Sequence, residues 1–174
     1  MTNTERLETL CTGAIAGTAG GLAEIAWVTL YAGLTGLDPT VMARSVTTAA
    51  GVSALLPAYP ATLGIGVHML LAATLGVALT LAWRTLSARR AGKANPYAFM
   101  LTALAGVWAM NFFVVLPIVG PSFVHLLPYA VSLTSKLLFG AAAAEVVRNR
   151  AFLSAASLCA RADRTSRYGK TCLT

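Results

Sequence analysis

Residues 62–83 read TLGIGVHMLLAATLGVALTLAW, a run without a formal charge in which His68 is the only titratable side chain. An α-helix rises about 1.5 Å per residue and the hydrocarbon core of a bilayer is about 30 Å thick, so about 20 consecutive apolar residues cross it. This run meets that length. Residues 96–124, PYAFMLTALAGVWAMNFFVVLPIVGPSFV, exceed it with no charge at all. A helix on a soluble core needs only one apolar stripe, whereas these two runs are apolar on every face, which predicts two spanning helices.

Working outward, two further stretches have the same character with sparse charge. Residues 11–37 are interrupted only by Glu24, and residues 126–147 only by Lys136 and Glu145. The expected fold is an all-α membrane protein: a four-helix transmembrane bundle over residues 1–150, then a basic tail over residues 151–174. Composition agrees, because 57% of the chain is hydrophobic and only 11% charged, against about 25% charged in soluble domains.

The formal net charge of +7 does not point to nucleic acid, since the basic residues are not interleaved with aromatics on a soluble face. They mark topology. Arg84, Arg89, Arg90 and Lys93 lie between the second and third runs. Arg148, Arg150, Arg161, Arg164, Arg167 and Lys170 follow the fourth, while residues 35–61 hold only Arg44. Cytoplasmic loops carry the Lys and Arg excess, which predicts both termini inside and residues 35–61 outside. The acidic start, Glu5 and Glu8 around Arg6, is unlike a cleaved signal peptide. Cys11, Cys159 and Cys172 lack metal-site spacing and fall on the cytoplasmic side, where thiols stay reduced.

Local signals refine this outline. Gly13, Gly17 and Gly21 recur every four residues, so one face of the first helix lacks bulk and a second helix can pack closely against it. Asp38-Pro39 pairs a helix N-cap with proline at the first helical position. It opens a short helix reaching toward Ser53, expected to lie along the outer membrane surface. Pro57, Pro60 and Asn95-Pro96 break the chain before the second and third spans. Residues 116–122, LPIVGPS, are expected to stop the third helix and turn it into an antiparallel hairpin with the fourth. The tail is expected to be disordered or to form a short surface helix around residues 151–160.

Ionisable groups in hydrocarbon usually face the bundle interior and pair with one another. Glu24 falls near the middle of the first span and Lys136 near the middle of the fourth, which makes them natural partners. His125, Tyr129, Ser132, Lys136 and Gly140 recur at three- and four-residue intervals on one helical face. His68 and Asn111, at similar depths on the second and third spans, would meet the outer end of that stripe. Together these residues outline a candidate intramembrane polar pocket opening outward.

The chemistry this pocket excludes is informative. There is no Gly-x-Ser-x-Gly elbow, His-Glu-x-x-His, paired-carboxylate or phosphate-loop pattern, and Ser132 lies two turns from His125, too far for a nucleophile and its base. His68 and His125 fall at different depths, whereas two axial haem ligands must face each other, and a metal site would lack a fourth ligand. A non-enzymatic protein without cofactor or metal is expected.

Three features in order, Gly13-Ala-Ile-Ala-Gly17, Val67-His68 and Leu116-Pro-Ile-Val-Gly-Pro121, resemble the YagU-like family of small bacterial inner-membrane proteins, over about residues 10 to 150. The resemblance implies an inner-membrane location and a link to acid or envelope stress. The family pattern places a histidine just after a Phe-Gly in the last helix, whereas here Phe139-Gly140 is followed by Ala141, so no site role carries over. The expected function is an accessory or self-associating membrane subunit, with contacts inside the bilayer through the glycine face. The alternative is a small transporter or proton/ion channel working through Glu24, Lys136, His68 and Asn111.

Overall fold

Runs this apolar must satisfy their backbone hydrogen bonds internally, and helices do so. The computed structural model describes residues 3–55, 57–89, 95–119 and 127–170, and no strand occurs among them. The helices are α1 (Asn3–Thr35), α2 (Pro39–Ala49), α3 (Pro60–Arg89), α4 (Pro96–Met110), a π-helical stretch Asn111–Val115, the short α5 (Leu116–Val119) and α6 (Tyr129–Lys170). Four segments are long and apolar enough to cross a membrane: Glu5–Thr35, Pro60–Arg89, Pro96–Ile118 and Tyr129–Arg150. Large side chains such as Leu22, Leu34, Leu70, Phe113 and Ile118 stand exposed on their outer faces. Water would penalise such a surface and lipid does not. The chain is a helical membrane protein.

Close packing holds the bundle together. A methyl group placed on Gly13 would lie 2.6 Å from the Val77 Cα, and one on Gly17 would fall on the Ala72 carbonyl and 2.8 Å from the Ala73 Cα. Gly76 answers from α3, with the backbones of Gly13 and Gly17 against it. The other side of α1 meets α6, where Gly20 lies under the Phe139 ring. Glu24 then faces Lys136, and the Trp27 indole donates to the Val131 carbonyl at 3.0 Å. Rising numbers on α1 thus meet falling numbers on both α3 and α6, so α1 is antiparallel to each. Helix α4 packs on α6, the Tyr97 hydroxyl donating to Glu145 and the Trp108 indole to the Ser132 hydroxyl. The start of α1 and the Arg150 end of the fourth span therefore share one end of the bundle.

At that end the interior is filled by Leu79, Met100, Leu104, Phe139, Ala143 and Val147. Trp83 packs on Phe99 with ring centroids 5.6 Å apart. Arg148 donates to Glu145 at 2.7 Å, Asn149 does so at 3.0 Å, and the Arg148 guanidinium lies 5.6 Å from the Tyr97 ring centre. Toward the opposite end the described residues leave a cavity.

Helix α2 partly covers that end. The Asp38 carboxylate accepts from the Thr40 backbone N–H at 2.9 Å and the Thr40 hydroxyl at 2.7 Å, with Pro39 at the first helical position. Two glycines with positive φ, Gly36 at 71° and Gly51 at 68°, bracket the helix. It docks on α3 where Gly64 lets the Ala43 carbonyl approach and the Thr47 hydroxyl donates to the Pro60 carbonyl at 2.8 Å. The Thr40 hydroxyl and amide hold the Asp38 carboxyl below its ordinary pKa. A lowered folded-state pKa contributes stability above the unfolded value and loses it as pH falls through the folded one. Amide protection in α2, corrected for intrinsic exchange, is expected to drop below the ordinary carboxylate range. Asp38→Asn should remain capped but pH-insensitive, and Asp38→Ala should be poorly protected throughout.

One detail refines the sequence expectation and one differs from it. The third span passes through Pro117 within the stretch 116–122 where its end was expected. Proline lacks an N–H and its ring clashes with the carbonyl four residues back, and the wider π turn of residues 111–115 relieves both demands. The last described residue of that span is Val119; the anticipated turn at residues 120–122 lies outside the described residues. The difference is the tail: in place of disorder or a separate surface helix, α6 continues unbroken through Lys170. Its 42 residues make a rod of about 60 Å, twice the bilayer core.

Candidate functional site: a charged cluster at the floor of an intramembrane cavity

Glu24 is the residue around which the site is built. Gly17, Gly21 and Glu24 fall on the α1 face toward α3, and Gly20, Glu24 and Trp27 on the face toward α6, so the glutamate points into the seam between both neighbours. Its side chain is only 5% exposed. Lys136 Nζ lies 2.6 Å from Glu24 Oε1, and the Ser135 hydroxyl, which also donates to the Ser132 carbonyl at 2.8 Å, lies 3.4 Å from the same oxygen. Glu24 Oε2 faces His68 Nε2 at 3.6 Å. That nitrogen is buried and has no hydrogen-bond partner among the described residues.

Above the cluster opens a cavity of about 380 Å³. Its floor is Glu24, His68, Ser132, Ser135 and Lys136; Ile25, Val28 and Thr29 of α1 form one wall, and Ala61, Gly64 and Ile65 of α3 another. Helix α2 supplies the cover through Thr40, Met42, Ala43 and Val46, and Phe112 and Leu127 complete it. An apolar chamber of a few hundred Å³ with a few convergent polar groups is the usual form of a small-molecule site.

No family model, curated protein or solved structure matches this chain.

The structure brings Glu24, His68, Ser132 and Lys136 together and separates them from the rest of the expected pocket. Asn111 is half-buried at the start of the π-helical stretch and does not line the cavity; its neighbour Phe112 does. Tyr129 is half-exposed, packing its ring against Trp108, Phe112 and Phe113, with its carbonyl accepting from Ser132. Gly140 lies past the cavity, where a methyl group would meet the Met100 carbonyl at 3.3 Å. His125 lies outside the described residues. No group of three or more His, Cys, Asp or Glu residues placed to hold a metal ion occurs among the described residues. Of the packing glycines, Gly13, Gly17 and Gly21 all face α3 of the same chain.

Sequence reasoning missed Ser135, Trp27, Trp108 and the role of α2. Ser135 had a signal in its three-residue spacing from Ser132, which turns both hydroxyls toward the seam. The two indoles stand one turn from Glu24 and Phe112, as donors that fix α6 against its neighbours. Nothing local marked α2 as a cover, because that follows from where Gly64 lets it dock.

Proposed function

We propose that this chain is a small bacterial inner-membrane protein that binds a solute within the bilayer and passes it across, without enzymatic chemistry, cofactor or nucleic-acid partner. The single observation that carries the reading is the cavity with the Glu24–Lys136 pair and His68 at its floor. Buried charge costs several kcal/mol even when paired, and apolar residues of the same size would hold two helices together as well. The pair stands at the floor of an open cavity.

Both termini are assigned to the cytoplasm from the Arg and Lys excess at the filled end. The cavity then opens outward, and α2 lies along the outer surface as its cover. The inner-membrane location is supported by the YagU-like resemblance through Gly13, Gly17, His68, Pro117 and Pro121. The rival reading, an accessory or self-associating subunit, leaned on the glycine face, and that face is occupied within the chain itself. Its support is correspondingly weaker.

The test is flux. Liposomes holding purified protein are expected to pass protons or cations faster than protein-free liposomes, and Glu24→Gln and Lys136→Met variants that stay folded should each lose that excess. No excess flux in the wild type, either with inorganic ions alone or with small organic anions supplied in turn, would return the weight to an accessory role.

A further inference from the structure

The cluster's charges say what the cavity takes. We propose that its occupant is a small amphipathic monocarboxylate, whose head pairs with Lys136 while a proton is taken up on His68; this rests on the binding role proposed above. Three observations lead there.

The first is the difference in access between the two charged groups. The Glu24 side chain is 5% exposed and the Lys136 side chain 21%. An ammonium has three donors, and among the described residues Lys136 has one acceptor, Glu24 Oε1. The group able to reach a ligand is the cation, so the complementary head is an anion or a hydrogen-bond acceptor. A carboxylate matches it and a cationic head does not.

The second is the unpartnered nitrogen of His68. When a ligand carboxylate draws Lys136 toward itself, Glu24 loses part of its compensation in a low-dielectric site, where an uncompensated charge is costly. His68 Nε2, 3.6 Å from Glu24 Oε2, is placed to supply the replacement by binding a proton from water. Before binding, Lys136 and Glu24 cancel and His68 is neutral. Afterwards the ligand and Lys136 cancel, as do Glu24 and protonated His68. The site is electroneutral in both states only if one proton accompanies one anion. Glu24 on α1 and Lys136 on α6 are the titratable groups facing His68; among the described residues α2 and α4 contribute none to the cavity lining.

The third is the wall. Ile25, Val28, Met42, Val46, Ile65 and Phe112 surround the space above the charges, and a ligand arriving from water gains by burying an apolar body against them. A carboxylate without an apolar body would forgo that gain.

The experiment measures binding to the full chain in lipid nanodiscs, with protein-free discs as baseline. The probes are hexanoate, hexanol and hexylammonium, with palmitate added through the lipid. Hexanoate or palmitate is expected to bind at least about tenfold tighter than the alcohol, the scale of one charge-assisted contact. A stronger hexanoate signal identifies an aqueous source, and a stronger palmitate signal the bilayer. Carboxylate affinity should fall about tenfold per pH unit above neutrality, the slope for one linked proton. That slope should flatten in His68→Gln, and Lys136→Met should erase the preference over the alcohol. Equal binding of hexanol, or tighter binding of hexylammonium, by the wild type overturns the carboxylate assignment without reference to any variant. A pH-independent affinity overturns the proton. Excess flux of protons or cations without carboxylate, together with no carboxylate binding, would sink this inference and leave the transport reading standing, whereas proton flux that appears only when hexanoate is supplied supports both.

Discussion

Replacing Lys136 by Met is expected to destabilise the folded protein by about 3–5 kcal/mol, the range for stranding one member of a buried ion pair. The reason is the state in which Glu24 is left. With its side chain 5% exposed, it would retain the long Ser135 contact at 3.4 Å and His68 at 3.6 Å, so the loss should be largest at alkaline pH, where His68 cannot take up a compensating proton. Glu24→Gln should cost less, because the stranded lysine lines the cavity and can draw water to its ammonium. The double variant Glu24→Gln/Lys136→Met removes both charges and is expected to recover much of the loss, since apolar replacement of a whole buried pair is often close to neutral. A cycle of the four proteins, each unfolded by denaturing detergent from mixed micelles, reads the coupling directly. Additive single effects would mean that the 2.6 Å contact contributes nothing to stability. A recovered double variant that no longer carries flux would separate what the charges do for function from what they do for the fold.

The second large effect is steric. Gly17→Ala and Gly76→Ala each place a methyl group into backbone of the opposing helix, the Ala72 carbonyl in one case and Gly13 and Gly17 in the other. Backbone cannot rotate away as a side chain does, so α1 and α3 must separate along their shared seam. The expected loss is about 1–3 kcal/mol for either alanine, and larger for leucine. Two glycines with nothing within 4 Å of the added methyl, Gly66 and Gly106, provide the contrast. Alanine there should be neutral or stabilise by up to about 1 kcal/mol, the helix-propensity difference. Comparable losses at all four positions would show that α1 and α3 do not meet as described. Spreading of this seam also moves Glu24 away from His68, so Gly21→Ala, whose methyl would lie 2.8 Å from the Ala72 Cβ, tests packing and site together.

How much of this was legible beforehand depends on how local each feature is. The four spans follow from continuous apolar runs, because in hydrocarbon the cost of charge and of unpaired backbone leaves the chain few alternatives. The α2 start follows from Asp38-Pro39, whose capping bonds reach only two residues along the chain. The pairing of Glu24 with Lys136 was legible from depth alone. Which of the two further candidates joins them was not: His68 and Asn111 lie at similar depths on different helices, and depth carries no information about rotation. Close approach at Gly17 and Gly76 turns His68 toward Glu24, while Asn111 lies at the start of the π-helical stretch and its neighbour Phe112 faces the chamber. The polar stripe on the fourth span divides for a similar reason. Ser132 and Lys136 meet the cavity, whereas Gly140 falls where α4 has closed against α6.

By itself, then, the sequence determined that the chain is helical, that four helices suit a membrane, where most of them begin, and that a buried acid requires a buried base. Each of these follows from interactions within one helix, or from the solvent around it. Tertiary structure alone decided that the glycine face is consumed by α3 of the same chain, that α2 covers one end of the bundle, and that a chamber remains above Glu24, His68 and Lys136. Those outcomes depend on how helices are rotated against one another. Rotation is settled by contacts between residues as distant in sequence as Gly17 and Gly76 or Glu24 and Lys136, and no local pattern encodes it.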